Sequence, residues 1–425
     1  MTTALELTTA ISTRWDDLAA ALGPEREAIE PRLTTLLRAL EAATVATEAA
    51  AVLAVLTLFA ARASANAVLR KALQAASVQR RKLAGALTTQ TSRTRYTRVG
   101  VLYATDRKLS PGTTLSFGAD RGTDLTHGEA EVAIPDDHRM GALERPSIWR
   151  LEFREDPKKH VVTTAVTTHT ETQFLERGRD FLARSGRKQV LLFIHGFNVG
   201  FDDAVRRTAQ FAYDLHFDGP AVLYSWPSEG KVQRYPVDVG NTDWSGPRFI
   251  QFLSLLREHL GADEVHIVAH SMGNRLLVGL LDAMAKQPPA LTANAAALGQ
   301  VVFAAPDVDT EVFKAKAANL RGQAKQFTLY ANSGDLALKA SKVIQRYPRA
   351  GDAGPNGADL LILPPIDTVD ATAVDTSFMG HSLYGDNRTV LSDLFRVLRE
   401  GTPPKQRKGL DELTRFGKTY WQFKS

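Results

Sequence analysis

The chain has 425 residues, of which 44% are apolar and 23% charged, and it carries a net charge of +5. That length accommodates a full catalytic domain with something smaller beside it, and the composition is that of an ordinary soluble globular protein. The absence of cysteine excludes disulfides, thiolate metal sites and a cysteine nucleophile. The basic residues are scattered, with short clusters at 80–82 and 405–408, as on a solvated surface rather than along a nucleic-acid groove.

Residues 1–92 contain no convincing strand. They are rich in Ala and Leu, Pro24 and Pro31 fall at helix starts, and Leu33, Leu36, Leu37 and Leu40 make one helical stripe. An all-helical N-terminal region is expected, a small bundle with no chemistry of its own, which packs on the next domain or mediates self-association. Its start lacks a basic segment followed by an apolar one, so no secretory signal is read there. The longest apolar stretch, residues 49–61, spans 13 residues, short of the roughly 20 that a transmembrane helix needs. No transmembrane segment is expected, and the cytoplasm is the expected location.

From about residue 96 the pattern changes. The segments YTRVGVLYATDR, GEAEVAIP, SIWRLEF and HVVTTAVTT alternate or are β-branched, and predict an antiparallel start to a sheet. After Thr168, helices and strands alternate: a helix at 171–185, VLLFIHG, a helix carrying Phe201, Val205, Thr208, Ala212 and Leu215 on one face, AVLYSWP, a helix at 246–260, VHIVAHS, a helix to 286, VVFAAPD, a helix at 310–320, and FTLYANSGD. Continuous apolar strands between amphipathic helices predict a mostly parallel α/β sheet with helices on both faces. The catalytic domain is placed at 93–400, an irregular loop at 346–366 and a C-terminal tail at 401–425.

In VHIVAHSMGN the apolar run Val265, Ile267, Val268 and Ala269 stops at Ser271, and a helix follows. Small-x-Ser-x-Gly at a strand-to-helix turn is a nucleophile elbow, here with Ala269 in place of the first glycine and Gly273 as the second. A serine hydroxyl needs a base to take its proton and a third group to orient that base. In sheets of this type the order is serine, acid, histidine. His381 is the only histidine after Ser271, so it is the candidate base. For the acid, Asp335 ends the second strand after the elbow strand and is favoured. Asp307 ends the first and stands as the alternative. Asp309 is better explained as a helix cap. The oxyanion hole requires backbone amides, most simply those of Met272 and Phe197. His195, beside Gly196 in the HGFN turn, is read as hydrogen-bonding the loop rather than moving a proton. Trp226, and Tyr235 and Trp244 in the loop that follows, are candidates to line an acyl pocket, with plain core as the equal alternative.

Two other chemistries are rejected. His266 and His270 lie four apart on a strand, roughly 13 Å at about 3.3 Å per residue, too far for one zinc ion. No glycine pattern forms a phosphate-cradling loop.

The motifs VLYATDRK, FIHGFNVGFDDAVRRTAQFAYDL, LYSWPS, VHIVAHSMGNRLL, FAAPDVD, LYANSGDLALKAS and GHSLYG, in this order over residues 96–400, resemble the bacterial DUF900 family of the α/β-hydrolase superfamily. The resemblance implies an eight-stranded-type hydrolase sheet with Ser271 as nucleophile and His381 as base. It does not separate Asp335 from Asp307, and it supplies no natural substrate. The expected activity is cleavage of a small-molecule or lipid ester through an acyl-enzyme, with no metal or cofactor. Lipase, thioesterase, amidase or acyltransferase chemistry on the same triad is the alternative, as is a non-catalytic interaction protein on a hydrolase scaffold.

Overall fold

In the computed structural model the residues described are 96–424, apart from 113–114, 147–154, 230–233, 287–294, 335–337, 339–340, 342–345 and 375–387. The chain divides into two units, Met1–Arg93 and Thr94–Ser425. The helical region expected for 1–92 and the strand expected in SIWRLEF lie outside the described residues.

Three strands open the second unit: β1 (Tyr96–Leu109), β2 (Phe117–Pro135) and β3 (Val162–His169). They pair antiparallel, with Val101 opposite Ala130 and Val132 opposite Thr163. Helix α1 (Glu171–Arg184) starts at a capping box in which Thr170 and Gln173 satisfy each other's backbone amides. Then come β4 (Gln189–Ile194), α2 (Phe201–Asp214), β5 (Ala221–Ser225), α3 (Tyr235–His259), β6 (Glu264–His270) and α4 (Gly273–Ala285). The unit continues with β7 (Ala297–Ala304), α5 (Thr310–Lys316), β8 (Ala324–Ala331), β9 (Ile366–Asp370) and α6 (Arg388–Phe395), and closes with β10 (Leu410–Arg415) and β11 (Lys418–Phe423). Asp309 caps α5 by accepting from the Glu311 and Val312 amides.

Among the described residues, eleven strands form one sheet, in the order β10-β11-β9-β8-β7-β6-β4-β5-β1-β2-β3. Strands β1, β5, β4, β6, β7, β8 and β9 run parallel, so the sheet is mostly parallel, and its two faces carry separate cores. Val190, Leu192 and Ile194 of β4 face the side covered by α1, α3, α4 and α5, and Leu191 and Phe193 face the side covered by α2 and α6. This alternation within a continuously apolar strand is what burial on both faces requires.

Two expectations need correction. Residues 401–425 are not a tail. Leu410, Trp421 and Phe423 are buried, β11 pairs parallel with β9 through Trp421–Val369 and Gln422–Asp370, and the hairpin forms one edge of the sheet. Arg407 secures it from beneath, donating to Asp393 at 2.8 Å, while the Tyr330 hydroxyl donates to the same carboxylate at 2.7 Å. Secondly, the helix expected to begin at 246 begins at Tyr235 and runs through Pro247, so Tyr235 and Trp244 are helical rather than in a loop. Its first half buries Asp238, Asn241, Thr242 and Ser245. Asn241 donates to the Pro227 carbonyl at 2.6 Å, and Asp238 accepts from Ser228 Oγ at 2.6 Å and the Glu229 amide at 2.9 Å. These tertiary bonds outweigh the poor helix propensity of GNTDWSGP.

Candidate active site

The strand order reverses between β4, which leads to β5 on one side, and β6, which leads to β7 on the other. The carboxyl ends of two such strands border the crevice where open α/β sheets bind ligands. Ser271 follows β6 and the His195-Gly196-Phe197 turn follows β4.

Ser271 holds a left-handed backbone, φ 49°, which costs an L-residue roughly 1–2 kcal/mol. Its neighbours enforce that conformation. The Ser271 amide donates to the Ala304 carbonyl at 2.9 Å, and its carbonyl accepts from the amides of Asn274 and Asp307, each at 3.1 Å. The Asn274 side chain adds a further bond to that carbonyl at 3.0 Å and also reaches the Ala269 and Ala304 carbonyls, at 3.1 and 3.3 Å. The elbow is therefore tied to both strand ends beside it.

Two glycines make room for it. A Cβ on Gly196 would lie 2.7 Å from the His270 ring and 2.9 Å from Ser271 Cβ, and one on Gly273 would meet the His195 carbonyl at 2.5 Å. Gly273→Ala should therefore destabilise the fold by about 1–3 kcal/mol, since the obstacle is backbone and cannot swing away. Urea denaturation checks this, and an unchanged midpoint would show that the turn has slack. Met272 is the N-cap of α4, whose first-turn amides and dipole favour negative charge at this point. Among the described residues, neither the Met272 nor the Phe197 amide has a backbone acceptor.

A family profile described as "Alpha/beta hydrolase of unknown function (DUF900)" matches residues 170–398. The chain belongs to this family. The matched span starts after β3, so the VLYATDRK segment lies outside it. A curated relative, the uncharacterized protein alr1448 of Nostoc sp. (strain PCC 7120), is 24% identical over 166 aligned residues, covering 31% of this chain and 43% of the relative. The chain thus spans under half the length of that relative. No solved structure matches the chain at a significant level.

For this DUF900 chain the remaining expected site residues fall as follows. Asp335 and His381 lie outside the described residues. Asp307 is 2% exposed and stands one bond from the elbow, through the amide noted above. Its carboxylate accepts from the Tyr235 hydroxyl at 2.8 Å and from Ser341 Oγ at 2.6 Å, and Arg349 Nε lies 3.3 Å away. Burial and then the charge of Asp307 push the Tyr235 phenol up to about 12, so it stays a donor at neutral pH. The Tyr235 ring packs edge-on against Phe197, centroids 5.3 Å apart.

Trp226 is fully buried, stacks on the His195 ring at 5.0 Å and donates to the His195 carbonyl at 2.8 Å. It supports the HGFN turn from behind. Trp244 lies between Arg121 and Arg248, whose guanidinium carbons are 5.2 and 3.9 Å from its ring. Its ring thus meets two cations. His195 is held down to about 3 by burial and then by the Arg107 charge. It is neutral throughout the working range, in keeping with a loop-holding role. Arg107, Asn274 and Arg349 were not among the residues expected at the site.

Proposed function

We propose that this chain is a serine-dependent carboxylic-ester hydrolase. The observation that carries the reading is the left-handed Ser271 at the end of β6, wedged between Gly196 and Gly273, a strained and fully braced elbow of the kind that presents a nucleophile. In the proposed cycle Ser271 Oγ attacks the acyl carbonyl while His381 accepts its proton. The amides of Met272 and Phe197 hold the tetrahedral oxyanion. His381 returns the proton to the departing alkoxide, and water, deprotonated by the same imidazole, then releases the acid and restores the serine. Asp335 orients His381. Each step uses groups of this chain and water.

A fluorophosphonate probe tests the reading directly. The wild-type protein should be labelled at Ser271 in step with its loss of p-nitrophenyl acetate hydrolysis, and Ser271→Ala should take no label while unfolding at an unchanged urea midpoint. Labelling that persists in Ser271→Ala, or a folded wild-type protein that neither labels nor hydrolyses, would refute the proposal. The second outcome would favour a binding protein on a hydrolase scaffold.

A further inference from the structure

Arg107, near the end of β1, is 2% exposed. A buried guanidinium costs several kcal/mol unless its donors and its charge are both met. The charge is met at a distance. Burial lowers its pKa to about 10, and the fields of Asp106 and Asp238 partly offset that. The donors go instead to neutral acceptors on β2, at and just after the end of β5, and in the turn after β4. Nε donates to Ser225 Oγ at 2.9 Å, Nη1 to the Gly118 and Ser228 carbonyls at 3.1 and 3.2 Å, and Nη2 to the Val199 carbonyl at 2.7 Å. Nη2 also lies 3.3 Å from His195 Nε2.

Nε2 faces three groups: the guanidinium and Ser225 Oγ, each at 3.3 Å, and the Trp226 carbonyl at 3.1 Å. A guanidinium has only donors, and Ser225 Oγ, which accepts from Arg107 Nε, has its own proton to give. Two donors against one acceptor favour the lone pair on Nε2 and the ring proton on Nδ1. Nδ1 is 2.8 Å from the Gly196 carbonyl and therefore donates to it. The Gly196 carbonyl and the Phe197 N–H belong to one planar trans peptide and point in opposite directions. Holding the carbonyl toward His195 turns the Phe197 N–H away from it.

We infer that Arg107 is a positioning residue for the oxyanion hole, acting through the His195 tautomer and the Gly196–Phe197 peptide plane on the Phe197 amide. Lysine cannot replace it, because an ammonium lacks the planar fork that reaches Ser225, Val199 and His195 together. The inference rests on the hydrolase reading for its kinetic consequence, but its structural half stands apart from that reading.

The test uses Arg107→Lys in the full chain, with imidazole ¹⁵N spectra and with kcat divided by the active sites titrated with a fluorophosphonate. The wild type should show His195 as the pure Nδ1–H tautomer. The variant should show a mixed or reversed tautomer, a kcat per titrated site lower by roughly 10²-fold and a KM within about twofold of wild type. A merely structural role would lower the number of titratable sites and leave kcat per site unchanged. Should Arg107→Lys fail to fold, Ser225→Ala removes the Nε acceptor with little change in volume, and should move the same two readouts in the same direction. An unaltered tautomer in a folded variant, or an unaltered kcat per titrated site, would overturn the inference. Failure of the hydrolase reading is distinguishable, since it appears as an unlabelled wild type, and the ¹⁵N spectra still decide whether Arg107 sets the tautomer.

Discussion

Asp335→Asn should lower kcat on a p-nitrophenyl ester by roughly 10⁴-fold, the cost of holding a triad histidine in the wrong tautomer, and should leave the unfolding midpoint nearly unchanged. Asp307→Asn should do the reverse. The carboxylate of Asp307 is occupied by Tyr235, Ser341 and Arg349, and Arg349 is itself 1% exposed. Removing the negative charge strands a buried cation, a loss of about 3–5 kcal/mol, and offers an amide N–H to a hydroxyl that was itself donating. Any fall in kcat at Asp307 should follow from loosened packing between Tyr235 and Phe197 and stay well short of the Asp335 effect. Turnover per titrated site and urea midpoints, measured for both variants, separate the two roles. A large kcat loss at Asp307 with stability intact, beside a silent Asp335, would transfer the acid role to Asp307.

Stability should peak near pH 6.5 and fall steeply on the acid side. Burial holds His195 down to about 3 and His266 down to about 4, from an ordinary value of 6.5. Between those values and 6.5 the unfolded chain binds protons that the folded chain refuses, so stability falls as pH falls, by about 1.4 kcal/mol per unit for each histidine. From pH 6.5 to 4.5 the pair removes about 5 kcal/mol, comparable to the whole stability of a typical domain. His127, also lowered by burial, acts in the same sense. Buried Asp106 and Asp238 are raised and act oppositely, adding stability as they take up protons.

On the alkaline side His138 counts. Burial lowers its pKa, but hydrogen bonds to Asp214 and Glu144, at 2.9 and 2.8 Å, outweigh this and raise it to about 9. Its contribution is complete below pH 6.5 and is lost as pH rises through 9. Denaturation at unit intervals from pH 4.5 to 9 should trace this dome, and His266→Gln should flatten the acid limb by roughly half. A profile level from 5 to 7 would show that these rings are solvated.

How much of this was legible in the sequence depended on where each constraint lies. The strands from β4 to β8 and the elbow at Ser271 could be read because apolar runs and a small-x-Ser-x-Gly turn are local signals. The first half of α3 could not, since its buried stripe, Tyr235, Asp238, Asn241, Thr242 and Ser245, has helical spacing but polar chemistry, invisible to a search for apolar periodicity. Strand β10 was taken for a tail because Asp411, Glu412 and Arg415 charge it, as edge strands commonly are charged against unwanted pairing. Arg107 stayed hidden because its acceptors lie from 11 to 121 residues away along the chain. Nothing within VLYATDRK announces them.

Three of the left-handed non-glycine residues, Asn198, Ser271 and Ala305, with φ of 59°, 49° and 44°, follow the neighbouring strands β4, β6 and β7. Conformations of this kind cost of order 1–3 kcal/mol each. The crevice thus gathers three strained positions at neighbouring strand ends. For protein engineering this means that a screen for heat tolerance would find inexpensive gains at positions 198 and 305, where glycine relieves the strain at once. Those gains would also slacken the frame around the serine. Thermostability and turnover would be traded at the same few backbone angles, and a selection that scores only one of them would erode the other.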